Sequence, residues 1–188
     1  MKRITLDIET TSAAGIFDPA SLELALIGIH DSETDSYDSF TKEELPRLWP
    51  VLERADLLVG YNSNHFDIPI LDKYYPGDLR TIKSIDLLAE IKNVLGRRLK
   101  LDSVAHATLG RKKSGNGLDA VLWWQEGKIE KVRKYCLDDV RITKEIYEFA
   151  LKNGRVKYSD LGDMRDIPLD TSSWETAGMA TLTHTLPF

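Results

Sequence analysis

Cysteine is nearly absent from this chain of 188 residues. The single Cys136 excludes an internal disulfide and a cysteine-built zinc site, and it suits a reducing, cytoplasmic setting. No stretch approaches the roughly 18 apolar residues of a membrane span, so no membrane association is expected. The start, Met1-Lys2-Arg3-Ile4-Thr5-Leu6-Asp7, lacks the apolar core and cleavage site of a signal peptide. Internal repeats and low-complexity linkers are missing too. So is an excess of positive charge: the net charge is −5, which argues against a nucleic-acid partner unless acidic groups gather on metal ions, whose charge reverses the local field. The hydrophobic share of 42% and charged share of 29% are those of a soluble globular protein, and the length suffices for one compact domain.

The basic residues are unevenly placed. Lys92, Arg97, Arg98, Lys100, Arg111, Lys112 and Lys113 crowd one stretch, followed by Lys128, Lys131, Arg133 and Lys134. Two readings stand side by side: a solvated helix surface and a phosphate-binding rim.

Ile4, Leu6 and Ile8 alternate with Thr5, Asp7 and Glu9, the period of a strand. Leu24–His30 is a second strand, and Tyr37–Phe40 pairs back beyond the polar turn Asp31–Ser36. Thr41 and Glu44 form a capping-box pattern for a helix to about Asp56, with Pro46 and Pro50 disturbing it. Leu57–Tyr61 reads as a short buried strand, Phe66–Tyr75 as a helix ended by Pro76-Gly77, Thr81–Ile85 as a strand, and Asp86–Leu95 as a helix stopped by Gly96. Leu99–Leu109 and Leu118–Gln125 read as helices, and a long helix spans Ile129–Asn153 before Gly154. The order predicts an α/β fold with a mixed sheet flanked by helices. Residues 1–158 form the domain; residues 159–188 are expected to be a poorly regular tail, not a separate domain, packed through Trp174, Leu182 and Phe188.

Asp7 and Glu9 stand two apart on the first strand, so their side chains share a face about 7 Å apart at the backbone, within reach of ions about 4 Å apart in a two-metal site. The bland alternative is a solvated edge strand. A second Asp-x-Glu, Asp31-Ser32-Glu33, lies in the polar turn and is assigned to solvent. Tyr135 and Asp139 are four apart on the long helix and share a face with Val132, Cys136, Val140 and Thr143; the alternative rotates that helix so that Asp139 is solvated like Asp138. The same spacing in Tyr74 and Asp78 is structural, because Pro76-Gly77 break any helix there. Asp67 follows a buried strand, where α/β sheets place ligands, or caps a helix. Asp86 is read as a helix N-cap, His65 as a surface or packed residue, and Trp123 and Trp124 as core or partner contacts more than base-stacking groups.

In order along the chain, Asp7-Ile-Glu9-Thr10, Asn62-x-x-x-Phe66-Asp67 and Tyr135-x-x-x-Asp139 resemble the three motifs of the DEDD 3′–5′ exonucleases, in the subgroup with Tyr in the last motif. The segment Val59-Gly-Tyr-Asn-Ser-Asn-His-Phe-Asp-Ile-Pro-Ile70 is similar to the exonuclease domain of family-B DNA polymerases and its free-standing relatives. The resemblance covers about residues 1–150. It implies an RNase H-like fold whose first three strands are antiparallel. It implies that Asp7, Glu9, Asp67 and Asp139 hold two Mg²⁺ or Mn²⁺ ions, a hard-cation set, and that Tyr135 orients the attacking water. It further implies that Thr10, Asn62 and Phe66 contact substrate, that single-stranded DNA or RNA 3′ ends are degraded to 5′-mononucleotides, and that replication or repair proteins are partners. Two other classes compete: a catalytically inactive nucleic-acid-binding module and an RNase H-like endonuclease. The presence of all four carboxylates and Tyr135 opposes the first; the Tyr-x-x-x-Asp helix opposes the second.

Overall fold

The period-two alternation at the start of the chain becomes β1 (Arg3–Thr11), with Ile4, Leu6 and Ile8 buried. In the computed structural model, which describes residues 1–11, 22–111 and 117–176, β1 is central to a five-stranded sheet. Its order is β3-β2-β1-β4-β5, formed with β2 (Glu23–Asp31), β3 (Ser36–Thr41), β4 (Leu57–Gly60) and β5 (Ser84–Asp86). The pairs β1–β2 and β2–β3 are antiparallel, and β1–β4 and β4–β5 are parallel. This is the mixed sheet that the element order predicts.

Helices cover both faces. On one lie α1 (Leu45–Leu52) and the short α2 (Asp67–Leu71). Their apolar residues Leu48, Leu52, Ile68 and Leu71 join Ile4, Leu6, Ile8, Ile27 and Ile29 in one core. The capping box forms at Thr41 and Glu44, but a single 3-10 turn comes first, and α1 stops at Leu52, with Pro46 and Pro50 in or beside its turns. The expected helix Phe66–Tyr75 shrinks to five residues, because the segment after Leu71 runs into turns before Pro76.

The other face is covered by α3 (Leu87–Leu95), α4 (Leu101–Leu109), α5 (Gly117–Gln125) and the long α6 (Ile129–Asn153). Val132, Tyr135, Cys136, Asp139, Val140, Thr143, Ile146, Tyr147 and Ala150 are buried along α6, the three-and-four spacing of a helix lying on a core. At its end Gly154 takes φ 63°, the left-handed stop that glycine adopts without strain.

The chain past α6 departs from the expected irregular tail. An antiparallel hairpin of β6 (Arg155–Asp160) and β7 (Asp163–Pro168) follows at once. Val156, Tyr158 and Ile167 are its inward residues, and with Leu169 and Trp174 they complete the second core. The hairpin buries one side alone, so its charged outward residues read as a loop. Trp174 is buried and stacked on Tyr147 at 5.3 Å between ring centroids, in line with the expected packing. Leu182 and Phe188 lie outside the described residues, as do Lys112 and Lys113.

Candidate metal centre

Strand β1 lends the site its first two carboxylates. Asp7 and Glu9 point from the face opposite Ile8, toward α6. In the β1–β2 register Asp7 faces Gly28 and Glu9 faces Leu26. Just beyond Glu9 the register shifts, with Ala25 of β2 as the extra residue before Thr10 pairs with Leu24. A bulge here bends the strand pair at the site, a common position for such bulges, and it places Thr10 at the bend.

Gly28 decides how near the long helix can come. A Cβ on Gly28 would lie 2.9 Å from the Cys136 sulfur, 3.1 Å from Leu137 and 3.2 Å from Val140. The bare backbone therefore lets α6 settle directly on the sheet, and Cys136 reaches Asp7. Its thiol donates to the Asp7 backbone carbonyl at 3.3 Å and lies 3.8 Å from Asp7 Oδ2. One ligand-type atom from each of Asp7, Glu9 and Cys136 falls within 4.8 Å of the other two.

Asp139 sits three residues, just under one turn, beyond Cys136. It is buried, whereas the neighbouring Asp138 is partly exposed and pairs with Arg141 at 3.1 Å. The helix is thus rotated with Asp139 inward, as the functional reading requires. Electrostatics tells the same story. The Cys136 thiol is pushed well above its usual range, first by burial and then by the negative charges of Asp7, Glu9 and Asp139. All three carboxylates act on one sulfur atom. Asp7, Glu9, Tyr135 and Asp139 each interact with neighbouring groups.

Asp67 arrives by another route. The parallel pairing of β1 with β4 runs from Arg3↔Leu57 to Thr5↔Val59. Beyond it the strands part, at the carboxyl ends where the sheet order reverses, the usual ligand crevice of such sheets. Asp67 Oδ1 accepts the Ile8 N–H at 3.1 Å there, so its carboxyl lies beside the strand that bears Asp7 and Glu9. It begins α2 and is not the N-cap, a position held by Phe66. Burial first, with a smaller push from the charge of Asp86, raises the Asp67 carboxyl to about 7 against the Ile8 hydrogen bond that lowers it.

The loop before Asp67 is fastened by Asp86, which the sequence reads as a helix cap in preference to a residue supporting the ligands. Asp86 does cap α3, accepting from the Leu88 and Ala89 N–H groups. It also accepts from the Asn62 N–H at 2.7 Å and the Asn64 N–H at 3.1 Å. Asn62 takes φ 71°, a left-handed conformation that asparagine tolerates better than most residues, and its side-chain oxygen accepts from Arg98. Phe66 is half-buried against the α1–α2 core, and His65 is exposed. Tyr135 is buried one turn before Asp139, edge-on to Trp123 with ring centroids 6.1 Å apart.

Two other expectations resolve. Asp31 is not solvated: it is largely buried and paired with Lys2 at 2.8 Å, because the turn folds back on the chain's start. Asp78 accepts from the Arg80 N–H at the start of a 3-10 turn, the structural role foreseen for it. Cys136 and Gly28 were missed as parts of the site; their importance depends on how closely α6 approaches β2, which no local pattern encodes.

The donor chemistry fits a hard divalent cation. Carboxylate oxygens suit Mg²⁺ or Mn²⁺, while the neutral Cys136 thiol is occupied as a donor and is a poor ligand in that state. Like charges held together in a buried site are costly, and a bound cation offsets that cost.

A search of curated proteins gives no match. Among solved structures, the family B DNA polymerase from the hyperthermophilic archaeon Pyrobaculum calidifontis shares the fold, with a TM-score of 0.64 at 20% identity. The match covers 80% of this chain and 24% of the polymerase chain, so the chain spans about a quarter of that protein's length. Residues 4–151 match the family model of the RNase_H superfamily, and the chain belongs to the RNase H superfamily.

Proposed function

We propose that this chain is a metal-dependent 3′–5′ exonuclease that removes 5′-mononucleotides from single-stranded DNA or RNA. The observation that carries the reading is Asp7 and Glu9 side by side with Cys136, Asp67 bonded to the N–H of Ile8 between them, and Asp139 acting on the same Cys136 sulfur as those two carboxylates. Superfamily membership and the fold shared with a DNA polymerase support it.

In this reading the four carboxylates hold two Mg²⁺ or Mn²⁺ ions. Such ions supply an activated water and neutralise charge on the phosphate. The protein's own part is positional. Tyr135 holds the attacking water by its hydroxyl; a tyrosine pKa near 10 favours orienting over removing a proton at neutral pH. The water oxygen forms a bond to phosphorus and gives up a proton to solvent, the bond to the 3′-oxygen breaks, and that oxygen leaves with a proton from solvent. In this reading Thr10, at the bulge, and Asn62 and Phe66, in the crevice loop, contact the terminal nucleotides. The buried free thiol is compatible with the reducing cytoplasm, where a replication or repair assembly would supply the ends.

Oligonucleotides labelled at the 3′ or the 5′ end, as DNA and as RNA, test the proposal with Mg²⁺, Mn²⁺ or chelator. Immediate release of mononucleotide from the 3′ label, abolished by chelator, is expected. Internal fragments would point to an endonuclease, and binding without cleavage to an inactive module; either result overturns the exonuclease reading.

A further inference from the structure

The basic residues of the two expected stretches have divided fates. Arg133 is committed to β3 and the start of α1, donating to the Ser39 carbonyl and hydroxyl and to Glu44. Lys128 pairs with Glu126, Arg111 with Glu145, and Arg97 with Asp160, while Arg98 holds Asn62. Lys131 and Lys134 are placed differently. Both are exposed, and together with Trp123 and Tyr135 they line an open pocket of about 210 Å³ between α5 and α6.

Its lining has two chemistries. Trp123 is half-buried; its inner side packs with Leu26, Val132 and Cys136 beneath the site. Lys131 lies over the Trp123 ring at 5.8 Å from the centroid, near the outer limit of about 6 Å for such a contact. A loosely held ammonium is readily exchanged for the face of a base. Tyr135, proposed to orient the water, lines the same pocket as the two cations and the aromatic floor. An aromatic face beside movable cations is the combination that holds single-stranded nucleic acid without reading sequence.

We propose that Trp123, Lys131 and Lys134 form a nucleotide subsite, in which one base of the strand stacks on Trp123 and the two lysines engage the adjoining phosphates. The proposal rests on the nuclease reading and adds to it how the single strand is held: one base stacked on Trp123, next to Tyr135. A base must leave its own stack to lie on Trp123, so the subsite takes unpaired strand ends. It also requires little sequence preference, because every base offers a π-face.

The test measures binding of oligothymidylate and oligouridylate by fluorescence anisotropy, with chelator present so that no strand is cut. A single abasic unit is walked along the strand from its 3′ end. With wild-type protein, one position of the abasic unit is expected to weaken binding about tenfold, and Trp123→Ala to weaken it by a similar factor. Combined, the two changes are expected to give little more than either alone, the mark of a shared contact, while Trp123→Phe restores most of the affinity. Lys131→Ala and Lys134→Ala are each expected to lower the slope of log affinity against log salt by about 0.7.

A flat abasic walk, or an abasic penalty as large in Trp123→Ala as in wild type, overturns the proposal. So do unaltered salt slopes in both lysine variants. Should Trp123→Ala fail to fold, the abasic walk on wild-type protein and the exposed-lysine variants still decide. A wild-type chain that cuts 3′ ends while the variants bind as it does removes the subsite alone; a chain that neither binds nor cuts removes the nuclease reading with it. Loss confined to the thymidine or the uridine strand separates DNA from RNA as the natural occupant.

Discussion

Asp138 and Asp139 are neighbours on one helix with opposite surroundings. The first is partly exposed and paired with Arg141; the second is buried beside a sulfur already surrounded by negative charge. In the proposed site, removing the Asp139 charge would delete a ligand and relieve repulsion at the same time. Asp139→Asn is therefore expected to slow Mg²⁺-dependent cleavage by roughly a thousandfold, the several kcal/mol that metal-borne charge stabilisation supplies. In chelator, its urea midpoint is expected to equal or exceed that of the wild type, the usual trade of function against stability at such sites. Wild-type cleavage by this variant would exclude Asp139 as a ligand. Tyr135→Phe is expected to slow the bond-breaking step in single-turnover assays far more than it weakens strand binding; equal losses would make Tyr135 a substrate contact instead. Strand and helix periods, 2 and 3.6, fix which of these side chains share a face, but the same spacings recur at Asp31/Glu33 and Tyr74/Asp78, and it was the resemblance of three motifs in order that singled these residues out. Their rotation relative to the core was not legible. Asp7 and Glu9 were equally compatible with a solvated edge strand until β2 and β4 were seen on either side of β1.

At the level of elements, the contact between α6 and the β1–β2 pair governs the site, and Gly28 governs that contact. Gly28→Ala places a methyl group 2.9 Å from the Cys136 sulfur and close to Leu137 and Val140. Overpacking of this kind costs about 1–3 kcal/mol, and the strain is best relieved by lifting the helix that carries Tyr135 and Asp139. The variant is expected to lose that much stability in urea unfolding and also to cleave more slowly per folded molecule. An unchanged urea midpoint would mean that the helix is not seated on this glycine. Sequence patterning gave no warning here, since the glycine lies inside an apolar run that reads as an ordinary buried strand. The β6–β7 hairpin was obscured for a related reason. Of β7, Ile167 alone is buried, so the period-two signal is nearly absent. What fixes the hairpin is tertiary, including the Thr108 hydroxyl of α4 bonded to both backbone groups of Lys157.

Over the whole molecule, the folded unit extends past the residues that match the superfamily. The match ends at residue 151, yet Val156, Tyr158, Ile167, Leu169 and Trp174 belong to the same core as Ile146 and Tyr147. Beyond β7, the chain is tied down at the sheet end where β1 begins. Trp174 stacks on Tyr147, Glu175 pairs with Arg3 at 2.7 Å, and Lys83 donates to the carbonyls of Ser173 and Thr176. At about 3.3 Å per residue along β1, this fastening lies roughly 20 Å from Glu9. Stability and chemistry should therefore separate. Trp174→Ala removes a fully buried ring and is expected to cost about 3–5 kcal/mol. For a chain of this length that corresponds to a fall in Tm of roughly 6–20 °C. Well below that lowered Tm, cleavage of a 3′-labelled strand per folded molecule is expected to match the wild type. A rate that drops while the protein is still fully folded would show that the segment past β7 reaches the metal centre through the sheet, and that the two ends of β1 are mechanically coupled.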